Sequence, residues 1–106
     1  MPNLYLKPEY LKMVTDTIAT VCPHATIVAY GSRVDGDDQS VHGGTDLDLA
    51  VLDFGESDGG IVDLRAAFSE SNIPILIDVF DYQLLPESFR EEIDRNNYLI
   101  CGGERE

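Results

Sequence analysis

Leu11, Val14, Ile18 and Val21 recur at helical spacing with polar residues between them. Pro8 suits a first helical turn and Pro23 bars continuation, so the stretch predicts an amphipathic helix that stops before Pro23. Thr26 to Tyr30 is a short β-branched and aromatic run ending at Gly31, the pattern of a strand. The polar stretch from Gly31 to Thr45 predicts a loop with at most one helical turn, and Asp46 to Leu52 predicts a second strand. After a Gly/Ser/Asp-rich break from Gly55 to Gly60, Ile61, Leu64 and Phe68 mark one face of a second helix. Pro74 to Phe80 is a third strand, apolar on both faces apart from Asp78, which predicts a central place in a sheet. Pro86 opens a last helix with Phe89 and Ile93 facing inward, and the segment from Tyr98 to Glu106 is short and ambiguous. The order predicts an α/β (α+β) fold, a single small mixed sheet with helices packed on it, as one domain spanning residues 1–106.

At 106 residues, 43% hydrophobic and 25% charged, the composition is that of an ordinary folded domain. Its charge is not ordinary: 20 acids against 7 bases give a formal −13. Such a chain lacks the basic face that displaces counterions from phosphate, which excludes bulk binding of DNA or RNA and attraction to anionic membranes. No apolar run approaches the ~20 residues that span a bilayer and no signal segment opens the chain. With no export signal, Cys22 and Cys101 read as reduced thiols in a cytoplasmic protein. Acids scattered throughout, with only Lys7 and Lys12 as lysines, also suit a salt-rich cytoplasm; a solvated acidic surface explains them equally well.

Three acids need a separate explanation. Strand residues two apart share a face, so Asp46 and Asp48 are neighbours opposite Leu47, Leu49 and Val51, and Asp78 joins them if the strands pair. Two like charges about 4 Å apart repel by roughly 4 kcal/mol at an effective dielectric near 20. A divalent cation removes that penalty, and hard oxygen ligands favour Mg²⁺ or Mn²⁺. Asp46 and Asp48 alone are more readily a loop cap and a solvated strand residue; a third acid on another apolar strand reverses the balance.

Gly31-Ser32-Arg33 directly follows a strand. Glycine lets a backbone approach an anion closely, a serine can cap a turn whose N–H groups bind phosphate, and arginine adds a charge-assisted donor. Arg33 could equally pair with nearby acids. The chain carries neither a P-loop nor a G-x-G-x-x-G.

Taken together, Gly31-Ser32-Arg33, Thr45-Asp46-Leu47-Asp48-Leu49 and Asp78 within Ile-Leu-Ile-Asp-Val resemble the nucleotidyltransferase superfamily that includes DNA polymerase beta. Size and the segment from Leu85 to Ile100 are most similar to the minimal nucleotidyltransferases, or MNT proteins. The resemblance implies a polymerase beta palm-like fold, nucleotide phosphates held by Gly31 and Ser32, two metal ions (Mg²⁺ or Mn²⁺) held by Asp46, Asp48 and Asp78, and Asp78 preparing the attacking hydroxyl. It further implies ATP as substrate and an antitoxin that transfers AMP to a tyrosine of a HEPN-domain toxin. The chain departs from the family pattern at Asp35, in a long acidic loop over 35–45, and at Thr45 where serine is common.

Other functions fit less well. A non-catalytic antitoxin that neutralises its partner by binding alone would gain nothing from buried acids. A calcium loop at Asp35-x-Asp37-x-Gln39 lacks its glycine and closing glutamate, where Ser40 and Asp46 stand. A receiver domain would want a lysine after a late strand, and neither lysine is there. His42 in the loop is more simply a solvated histidine than a nucleotide contact, and His24 a turn residue. The net charge favours a basic partner protein through electrostatic steering.

Overall fold

The computed structural model describes residues 4, 6–31, 34, 46–55 and 60–102. Helix α1 (Pro8–Val21) carries proline in its first turn and buries Val14 and Ile18. Strand β1 (Thr26–Tyr30) runs antiparallel to β2 (Leu47–Asp53), and α2 (Ile61–Ser69) then crosses back to a parallel β3 (Ile77–Asp81). Such a helical crossover is what parallel pairing requires. A 3₁₀ turn (Tyr82–Leu84), α3 (Glu87–Arg95) and β4 (Tyr98–Cys101) complete the chain, with β4 antiparallel to β1. The ambiguous terminus is thus partly a strand.

The sheet order is β3-β2-β1-β4, mixed in sense. Alternation along β1 and β2 divides the core between two faces. Ile27, Ala29, Leu47, Leu49, Val51 and Val79 pack with Val14 and Ile18 of α1 and Leu64 and Phe68 of α2. On the other face Val28, Tyr30 and Ala50 pack against Ile93 of α3, with Leu52, Phe80, Tyr82 and Leu85 around them. Cys22 is buried packing, and no disulfide joins it to Cys101.

Three expectations need correction. β3 is an edge strand and not a central one. Its apolar pattern reflects cover on both faces, α2 on one and the α3 side on the other, which a sequence shows in the same way as strands on both sides. Its start is also later, at Ile77, leaving Pro74 to Leu76 outside, with Leu76 63% exposed. Phe89 does not face inward: it is 48% exposed, and Ile93 alone of α3 is buried.

Candidate nucleotide and metal site

The register of three strands assembles the site. Asp48 of β2 lies opposite Tyr30 of β1 on one side and Asp78 of β3 on the other. All three side chains share the face opposite Leu47, Leu49 and Val79, because residues alternate along each strand. Asp46 stands immediately before β2, and its charge acts on both Asp48 and Asp78. Parallel pairing begins just before the strands proper, where the Leu47 N–H donates to the Leu76 carbonyl at 2.9 Å. That bond fixes the register that sets Asp48 beside Asp78.

The electrostatics follow from crowding acids on a half-buried face. Burial, then the charges of Asp78, Asp46 and Glu92, push the Asp48 carboxyl up to about 6. Asp78 is also raised, first by burial, then by the neighbouring Asp46 side chain and its charge, while Arg65 pulls in the opposite sense. Tyr30 is raised to about 12 by burial and by Asp48, Glu92 and Asp78. Its ring tilts against Phe80, with centroids 6.5 Å apart.

Gly31 abuts this group directly. Its φ is +90°, and a Cβ at this position would stand 2.8 Å from Oδ2 of Asp48. Both facts demand glycine here. The Gly31 carbonyl then accepts the Val34 N–H at 3.0 Å. Ser32, Arg33, Asp35, Asp37, Asp38, His42 and Thr45 lie outside the described residues.

Mutually repelling carboxylate oxygens, with space kept beside one of them by a glycine, suit a hard divalent cation in their donor chemistry. Among the described residues, however, no three His, Cys, Asp or Glu side chains close into a metal-ligand cluster. The structure thus brings Asp46, Asp48, Asp78 and Gly31 together without drawing the acids onto one point.

Sequence reasoning missed two contributors. Glu92 of α3 acts electrostatically on Asp48 and Tyr30 from across the face, and the only signal was its place beside inward-facing Ile93. Arg65 of α2 reaches the β3 edge through two hydrogen bonds to the Val79 carbonyl, which nothing in the helical pattern marks.

The small mixed sheet that seats Asp48 beside Asp78 and a glycine turn has a solved counterpart. A crystal structure of a toxin–antitoxin with AMP-PNP superposes with a TM-score of 0.66 over 89% of this chain and 74% of that one, at 14% identity. No family model matches the sequence. The protein of Haemophilus influenzae named probable protein adenylyltransferase MntA is 37% identical over 103 residues, covering 92% of this chain and 83% of its own. The chain therefore belongs to the MNT family of nucleotidyltransferases, that of MntA.

Proposed function

We propose that this protein transfers AMP from ATP to a hydroxyl of a partner protein and acts as the antitoxin of a toxin–antitoxin pair. The observation that carries this reading is the register that pairs Asp48 with Asp78 beside Gly31. The acceptor oxygen attacks the α-phosphorus in line, the α–β phosphoanhydride bond breaks, and pyrophosphate leaves. Asp78, on the open edge of the sheet and with its proton affinity raised, takes the hydroxyl proton. Gly31, Ser32 and Arg33 hold the triphosphate, and Asp46, Asp48 and Asp78 would hold two magnesium or manganese ions. Such ions, when bound, neutralise charge on the phosphates and lower the pKa of the acceptor hydroxyl. Positioning and charge neutralisation supply most of the rate, as in other phosphoryl transfers.

The relative's name and the toxin–antitoxin neighbour support a protein acceptor and a toxin partner. We extend this to a tyrosine of a HEPN-type toxin, in the cytoplasm, within a single minimal domain over residues 1–106. Among the described residues no helix is long and apolar enough to cross a membrane.

The test is labelling of the protein encoded beside this one from α-³²P-ATP with Mg²⁺ or Mn²⁺. Wild type labels it, whereas Asp46→Asn and Asp48→Asn do not while keeping the native circular dichroism. Unchanged labelling by either variant overturns the assignment. Full neutralisation of the partner by both variants would instead establish binding alone as the activity.

A further inference from the structure

β3 carries Asp78 yet, among the described residues, pairs on one side only, with β2. Residues of an edge strand alternate between pointing their backbone groups inward and outward. The Leu76 carbonyl is directed at β2, so Asp78 and Phe80 also direct their backbone groups there, and Ile77, Val79 and Asp81 turn theirs outward. The outward Val79 carbonyl, next to Asp78, accepts two hydrogen bonds from Arg65, from Nε at 3.0 Å and from Nη2 at 2.8 Å. Arg65 belongs to α2, which packs on the opposite face of the sheet, so its side chain wraps the edge to make these bonds. Its charge also acts on the Asp78 carboxylate. A fork with two donors on one carbonyl is a rigid, charge-assisted contact that lysine cannot reproduce in full.

We propose that Arg65 is a positioning residue for Asp78, strapping the free edge of β3 so that Asp78 stays in register with Asp48. The same contact blocks the outward carbonyl that another strand would use. This inference rests on the reading that Asp78 serves nucleotide transfer, but the strap itself is independent of that reading.

The test compares wild type with Arg65→Ala, Arg65→Gln and Arg65→Lys in the full chain. Hydrogen exchange of the β3 amides is expected to speed up in Arg65→Ala while exchange in β1 and the melting temperature stay close to wild type. In AMP transfer, kcat is expected to fall roughly tenfold, the scale of a lost charge-assisted contact, with KM for ATP within about twofold. Arg65→Lys, which keeps the charge and one donor, is expected to recover more of kcat than the uncharged Arg65→Gln. Wild-type exchange in β3 of Arg65→Ala overturns the strap. A kcat loss matched by a general loss of stability, or rescued equally by glutamine and lysine, overturns the positioning role. Absence of AMP transfer by wild type itself would refute the proposed function, while the exchange measurement would still decide the strap.

Discussion

Asp48 stands between a buried tyrosine and a second acid, and this position gives its titration a sign. Its pKa is raised from 3.8 to about 6 in the folded protein, so the native state holds a proton there that the unfolded chain releases. The Asp48 contribution to the stability of the metal-free protein is therefore fully present below about pH 4 and is lost as pH climbs through about 6. Asp48→Asn removes this loss. At pH 7 the variant is expected to be more stable than wild type in urea unfolding, with the difference shrinking towards pH 4. Added Mg²⁺ or Mn²⁺ is expected to raise the melting temperature of wild type and not of the variant, since a ligand stabilises only the state that binds it. Equal stability at pH 7 would show that the charge on Asp48 is not strained. Gly31 offers a second test at this scale. Gly31→Ala forces a side chain to φ +90° and into Oδ2 of Asp48. Denaturant unfolding is expected to show a loss of about 1–2 kcal/mol for the backbone strain alone, with AMP transfer lowered as the carboxylate is displaced.

Among the elements, α3 shows how narrowly a helix can be anchored. Ile93 is 1% exposed and is its one buried residue, whereas Phe89 is 48% exposed. Ile93→Ala is expected to cost about 2–5 kcal/mol in urea unfolding, and Phe89→Ala about 1 kcal/mol or less. The reverse order would restore the inward phase that apolar spacing alone suggests. That error has a physical origin: Phe89 and Ile93 are four apart and share a helix face, but α3 meets the sheet through Ile93 alone and buries only part of that face. Similar limits explain β3. Strand periodicity places Asp78 on the face of Asp48 once the strands pair, because register and alternation are properties of the chain itself. Whether a strand is central or at an edge depends on what lies beside it, and Ile77 to Phe80 look the same in either place. Helix α1, both strand cores and the Asp46–Asp48 pair were legible because each rests on local spacing. Glu92 and Arg65 were not, because their partners lie on other elements and only the assembled sheet brings them near.

At the scale of the whole molecule, a formal −13 acts on stability and on encounter. Among the described residues the ion pair between Lys12 and Asp16, at 2.9 Å on the surface of α1, does little to offset that charge. Self-repulsion over such a body is screened within about 10 Å at 0.1 M salt. Unfolding in molar NaCl is therefore expected at a higher temperature than at low salt, and equal stability in both would remove self-repulsion from the account. The same field favours a basic partner and makes its association faster at low ionic strength. The central claim is that the acids gathered by β2 and β3 serve AMP transfer to such a partner. Its most direct test is the intact mass of the protein encoded beside this one after incubation with ATP and Mg²⁺ or Mn²⁺. A mass increase of one AMP, present with wild type and absent with Asp48→Asn, is the predicted result; an unmodified partner with wild type, or an equal increase with the variant, would contradict it.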